Sequence, residues 1–247
     1  MLNVVCLCVR GPYPYTMEYV VRLQRMVHAN LKQPYEFKCF IDKDTLKDAC
    51  QWKNKAADKE VPVHPSQTCE FKQIDSLFGV VPLNGVGYWN KLRLFDPALG
   101  LRGRVLYIDL DSLIVGPLDP IVDYPADFAL TTDALVKERA HLDRDRDGRR
   151  IVRRFNSSVM VWNGGEQADL WERWTPKVAK ELSTDQDWIG EQSEGAVGMP
   201  LEWFPRLSRV GPPETWSPET KVILAKKPKN HEAVLRYPWF GPLWGAA

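Results

Sequence analysis

The sequence predicts a single mixed α/β domain whose mostly parallel central sheet is flanked by helices, and three observations carry that expectation. Asn3 to Val9 is rich in Val and Cys and alternates little, the pattern of a strand covered on both faces. Glu18 to Leu31 places Val20, Val21, Leu23, Val27 and Leu31 at helical spacings, with Arg22, Arg25 and Lys32 interleaved, so an amphipathic helix follows. Glu36 to Ile41 then reads as a second strand. Strand, helix, strand with short connections is the βαβ unit of a parallel sheet, and such sheets leave ligand space beyond the carboxyl ends of their strands.

Farther along, the first strand ends at the turn Arg10-Gly11-Pro12, and residues 42 to 87 read as mostly irregular with one or two short elements. Trp89 to Leu99 reads as helical and stops near Gly100. Arg104 to Ile108 is a short apolar run with β-branched and aromatic content, as expected for a central strand. Further elements are expected as a strand at Phe155 to Trp162, a helix at Gln167 to Leu182 and a strand at Lys221 to Ala225. No repeat or low-complexity segment interrupts this order.

Composition narrows the function classes. No compositional shift divides residues 1–247, so one domain is expected. With 44% hydrophobic and 26% charged residues the chain can bury a substantial core. Its formal net charge of +1 argues against a dedicated nucleic-acid binder, which needs a basic face to neutralise phosphates. The five cysteines are odd in number and contain no C-x-x-C pair, which fits a reducing compartment. The first ten residues hold an apolar run of only about eight with no basic lead, too short for a signal peptide or membrane span. A cytoplasmic protein is expected. The aromatic tail Tyr237 to Trp244 is read as closing a pocket or core in preference to touching a membrane surface.

The chemistry centres on Asp109-Leu110-Asp111, directly after the central strand. In an extended chain two aspartates separated by one residue project to the same side, and Leu110 between them faces the core. Two carboxylates at the mouth of a buried strand repel each other unless a cation joins them, which suits a hard metal such as Mg²⁺ or Mn²⁺. A three-residue D-x-D occurs often by chance, so its weight depends on what surrounds it.

Four blocks surround it in order: Tyr88 to Leu94 (YWNKLRL), Arg104 to Val115 (RVLYIDLDSLIV), Phe155 to Trp162 (FNSSVMVW) and Thr184 to Ile189 (TDQDWI). Together they resemble the ordered blocks of retaining GT-A glycosyltransferases of the glycogenin and galactosyltransferase group, family 8, with the pattern nearest to bacterial and viral members. The similarity reaches from the first strand to about Trp239. The resemblance implies a Rossmann-like GT-A domain that moves a hexose, glucose or galactose favoured, from a UDP-sugar to a saccharide, lipid-linked glycan or protein acceptor with retention of configuration. It implies a Mn²⁺ or Mg²⁺ ion on Asp109 and Asp111, with Leu110 in the same donor-binding segment. Lys91 matches a basic residue near the diphosphate and the acidic pair, and Asn156 and Ser157 match the segment beside the donor sugar. Asp185 and Gln186 match a D-Q pair near the anomeric carbon. Arg10, Tyr15 and Asp42 would meet the nucleotide base and ribose.

One departure stands out. Relatives carry a metal-binding histidine in a late His-Gly-Lys-Pro-like stretch, and Ala225 occupies that place here. Three arrangements stay open: His231 ligates, Lys226 supplies positive charge, or the two aspartates hold the metal with diphosphate and water. The last is preferred, because Mg²⁺ keeps several waters and uses few protein ligands. Lys226 or Lys227 is then expected to hold the diphosphate as a point charge.

Asp143 to Gly148 opens like a calcium loop, but position twelve is Arg154 and four arginines interleave, so a charged loop is expected. Two rival functions remain. A nucleotidyltransferase would want a glycine-rich phosphate cradle after its first strand, where one glycine and two prolines stand instead. A catalytically silent sugar-nucleotide binder is suggested by Ala225, but would not need Asp109, Asp111, Asp185 and Gln186 together.

Overall fold

The computed structural model describes residues 1–9, 15–45, 69–75, 86–132, 144–152, 154–225 and 237–246. Strand β1 (Leu2–Cys8) leads through helix α1 (Met17–Asn30) to β2 (Tyr35–Ile41), the βαβ unit expected from the sequence. Strand β3 (Cys69–Gln73) follows, then α2 (Val86–Trp89) running into a 3₁₀ helix at Asn90–Phe95. Next come β4 (Arg104–Ile108), β5 (Leu113–Ile114), α3 (Asp119–Val122), β6 (Phe128–Thr131) and β7 (Asn156–Asn163). The chain closes with α4 (Asp169–Glu172), α5 (Val178–Glu181), α6 (Asp185–Gln192), β8 (Val197–Met199), β9 (Val222–Ile223) and α7 (Phe240–Ala246).

Seven strands form one sheet in the order β3-β2-β1-β4-β7-β6-β8, and β5 pairs with β9 as a separate ribbon. β1 pairs in parallel with both β2 and β4, and β2 with β3. β7 runs against both of its neighbours, β4 and β6, while β6 and β8 are parallel. β7 is therefore reversed among six strands of common direction. Its amino end lies at the edge of the sheet where β4 ends.

The sheet is buried on both faces, which the alternation along each strand makes explicit. Val4, Cys6 and Cys8 of β1, Leu106 and Ile108 of β4 and Val159 and Val161 of β7 join the core beneath α1. Val5 and Leu7, Val105 and Tyr107, and Met160 and Trp162 point into the opposite layer with Trp89, Leu92 and Trp188. Helix α1 buries Val20, Leu23 and Val27, the positions that fall three and four apart on one stripe. Cys6, Cys8 and Cys39 are buried in the core beneath α1. Among the described residues no helix is long and apolar enough to cross a membrane.

Two helices differ from expectation. The stretch Gln167 to Leu182 is broken into α4 and α5, because Pro176 disfavours helical backbone at Thr175 and cannot donate its own N–H. Trp89 to Leu99 is largely 3₁₀, and the Asp96 carboxylate restarts the chain at Pro97 by accepting the Ala98 N–H at 2.9 Å.

Candidate active site

β1 and β4 lie side by side, but the chain leaves β1 toward β2 on one flank and reaches β4 on the other. That reversal opens a crevice at the carboxyl edge of the sheet, the place where open α/β sheets take ligands. Asp109 is the first residue past β4. Its backbone N–H still donates to Ser158 O of β7 at 2.8 Å, and its carbonyl accepts from Ser112 N at 3.1 Å. Asp109-Leu110-Asp111-Ser112 is thus a tight turn, not the extended segment that alternation implied. Leu110 is buried in the α1-side core, as expected, and Asp111 is 7% exposed.

Lys91, also only 7% exposed, sits beneath this turn on the 3₁₀ helix. Its Nζ lies 2.9 Å from Asp109 Oδ1 and 3.0 Å from Oδ2, and donates to Ser157 Oγ at 3.2 Å. Ser157 Oγ in turn donates to Asp185 Oδ2 at 2.6 Å. Asp109, Lys91, Ser157 and Asp185 therefore form one chain of polar contacts, drawn from four different segments of sequence. Asn156 stands beside it, its Oδ1 accepting from Ser158 N at 2.8 Å and from Thr131 Oγ1 at 3.1 Å.

Electrostatics follow from three carboxylates sharing one ammonium. Burial and the neighbouring Asp109 charge push the Asp111 carboxyl up to about 7, against the pull of a Tyr15 hydrogen bond and Lys91. Burial lifts Asp185 to about 6, with Lys91 and Ser157 opposing and Asp109 and Asp187 adding to the rise. Burial disfavours the charged form of Lys91, yet Asp109, Asp185 and Asp111 together outweigh it and hold its pKa above the ordinary value. Asp185 Oδ1 is fully buried and carries no hydrogen-bond partner. A buried carboxylate oxygen without a partner is costly to the fold.

The residues present fit a hard divalent cation. Asp109 and Asp111 would offer carboxylate oxygens from one tight turn, the donor type that a hard divalent cation takes. Among the described residues no group of three or more His, Cys, Asp or Glu could by itself hold a metal, so a cation here would take its remaining ligands from substrate phosphate and water. Ala225 is half-buried and packs against the α1-side core, and contributes no ligand.

The remaining sequence candidates are placed as follows. Tyr15 reaches Asp111 by a side-chain hydrogen bond. Asp42 is buried at the end of β2 and accepts the Thr45 N–H at 2.8 Å, starting a helical turn. Gln186 is half-buried next to Asp185 in the first turn of α6. Arg10, Lys226, Lys227 and His231 lie outside the described residues, as does Asp143. The rest of the calcium-loop pattern is a self-satisfied turn: Asp145 accepts from Asp147 N, Arg149 N and Arg149 Nε at 2.8–2.9 Å and from Ser183 Oγ at 2.8 Å. A separate cavity of about 700 Å³ opens at the opposite, amino edge of β2, lined by Gln24, His28, Tyr35 and Glu36 among others.

The sequence reading passed over Tyr107 and Thr131. Tyr107 donates its hydroxyl to Asp109 Oδ1 at 2.5 Å. Its position two residues before the first aspartate, on the same strand face, was the available signal. Thr131 belongs to β6, a strand the sequence reading did not expect.

No protein-family model matches the chain, and no curated protein sequence matches it. Solved structures do. The galactosyltransferase LgtC, determined with donor and acceptor sugar analogues, superposes with a TM-score of 0.63 at 17% identity over 99% of this chain and 95% of that one. The apo-form glycosyltransferase GlyE of Streptococcus pneumoniae TIGR4 matches with a TM-score of 0.50 at 12% identity, over 83% of this chain and 46% of that one. Apo mouse xyloside xylosyltransferase 1 gives 0.48 at 13% identity, over 83% and 87%. At such identities the likeness speaks for architecture: the chain has the GT-A fold of LgtC, with a mostly parallel central sheet flanked by helices.

Proposed function

We propose that residues 1–247 form a single nucleotide-sugar transferase domain that moves a hexose, glucose or galactose favoured, from a UDP-sugar to a saccharide, lipid-linked glycan or protein acceptor with retention of configuration. The observation that carries this reading is the gathering of Asp109, Asp111 and Asp185 around Lys91 at the switch point of the sheet. Its support is twofold. Two buried carboxylates and a half-buried third around one lysine are costly without a ligand to balance them, and the GT-A likeness to LgtC covers nearly the whole chain.

In this reading Asp109 and Asp111 hold Mn²⁺ or Mg²⁺, and the ion supplies charge neutralisation for the departing diphosphate. Lys91 pairs with the metal-side carboxylate and links, through Ser157, to the sugar-side one. Asp185 and Gln186 line the donor sugar near its reacting carbon, Asn156 and Ser157 flank it, and Leu110 anchors the turn in the core. Tyr15, Asp42 and Arg10 face the nucleoside, and Lys226 and Lys227 the diphosphate.

The test is nucleoside diphosphate release from a panel of nucleotide sugars with Mn²⁺, Mg²⁺ or EDTA, run beside Asp111→Ala. Release from one UDP-sugar should fall by at least about 10²-fold in the variant and in EDTA, the usual size of losing a preorganised charge. No release together with no UDP binding under any metal condition would sink the assignment. Tight UDP binding without turnover, with a full range of acceptors supplied, would favour a silent sugar-nucleotide binder.

A further inference from the structure

We propose that Tyr107 is a positioning residue for the acidic pair, its phenol holding Asp109 in the orientation in which that carboxylate meets a divalent cation; this rests on the transferase reading above. Tyr107 and Asp109 are two apart at the end of β4, so their side chains leave the same face of the strand. The ring is 2% exposed and packed in the layer that also holds Trp89 and Leu92, at the end of the strand that leads to the sheet edge. There the hydroxyl donates to Asp109 Oδ1 at 2.5 Å. Lys91 Nζ lies 2.9 Å from the same oxygen and 5.5 Å from the centre of the Tyr107 ring.

Asp109 needs such a restraint. Asp111, two residues on in the same turn, repels it, and the rotamer that turns Asp109 away from its neighbour relieves that repulsion. Lys91 opposes the repulsion as a compact point charge with three rotatable donors, shared between Asp109 and Ser157, so it attracts without fixing direction. The phenol is a single donor on a rigid, fully packed ring, and it selects which oxygen points down. A carboxylate offers about four lone-pair sites. Tyr107 and Lys91 occupy those of Oδ1, and Lys91 one of Oδ2, which leaves Oδ2 as the oxygen open to a cation.

A buried tyrosine that merely needed an acceptor would show the same bond, so the test must separate the two roles. Mn²⁺ binding is measured from the free-ion electron paramagnetic resonance signal, with and without UDP, for the wild type, Tyr107→Phe, Asp109→Ala and the double variant. Phenylalanine keeps the ring and its packing, and a melting curve checks the fold. Tyr107→Phe should weaken Mn²⁺ by about 10–100-fold, the usual cost of losing an outer partner of a metal ligand, and should add nothing to Asp109→Ala. Undiminished Mn²⁺ affinity in Tyr107→Phe, or an equal loss on the Asp109→Ala background, overturns the inference while leaving the transferase reading intact. A wild type that binds no Mn²⁺ even with UDP removes the metal site itself, and the inference falls with it.

Discussion

Asp185 is the residue whose burial is hardest to reconcile with a merely structural role. Its side chain is inaccessible, one oxygen accepts from Ser157, and the other has no partner. Its carboxyl is raised to about 6 chiefly by burial, so the folded state holds this proton more tightly than the unfolded chain does. The associated stability is fully present below about pH 3.8, the ordinary carboxyl value, and is lost as pH rises through about 6. Asp185→Asn removes the titration. The stability of the wild type relative to this variant should therefore fall between pH 4 and pH 6, by on the order of 2–3 kcal/mol, and then level off. Urea unfolding at four pH values would show it, and a constant difference would mean that the buried carboxyl is matched by groups that keep it ionised. At this scale much of the site was legible. Lys91, Asp109, Asp111, Ser157 and Asp185 came from four separated blocks, and their contacts join into one network. Tyr107 was not read because a strand aromatic counts first as core, and only geometry shows that its hydroxyl reaches past the strand end.

Helix α6 brings Asp185 to that network, and its first turn is fastened by Asp187. Asp187 Oδ2 accepts the Thr184 N–H at 2.9 Å and the Thr184 hydroxyl at 2.8 Å, the reciprocal half of a capping box. Its Oδ1 accepts the Val152 N–H at 2.8 Å and so ties the 144–152 segment to the helix start. Asp145 repeats the tie one residue earlier through Ser183. Asp187→Ala removes the cap and leaves the Val152 donor without this acceptor, for a loss of about 2 kcal/mol. Donor turnover should drop while Mn²⁺ affinity stays unchanged, because the displaced group is Asp185 and not the metal pair; Asp187→Asn should restore part of both stability and turnover. Equal loss of metal affinity would place Asp187 in the metal site instead. This helix was not among the elements expected from the sequence, although Thr-x-x-Asp was an available signal for its start, and β6 and β8 left little trace. Each has no more than four residues, and Phe-Ala-Leu-Thr or Val-Gly-Met is too short to show a period. The pairing of β6 with β7, and of β8 with β6, is decided by tertiary contact.

Across the whole molecule, the reversal of β7 is what completes the site. Had β7 run parallel to β4, Asn156 and Ser157 would lie at the far edge of the sheet, some 20 Å from Asp109 by the rise of about 3.3 Å per residue. Because it runs antiparallel, its amino end meets the carboxyl ends of β1, β4 and β6, and Lys91 can touch Asp109 and Ser157 at once. The price is a concentration of carboxylates at one edge, which Lys91 balances only in part. A ligand that brings a divalent cation and a diphosphate together should therefore stabilise the fold more than either part alone. At about 100 times its dissociation constant such a ligand contributes about 2.7 kcal/mol, or about 5–10 °C in melting temperature for a chain of this size. Mn²⁺ with UDP should produce that shift, EDTA should abolish it, and Asp111→Ala should melt at the same temperature with and without the pair. A full shift with UDP in EDTA would mean that the diphosphate is balanced without a metal, and that the three carboxylates serve the sugar instead.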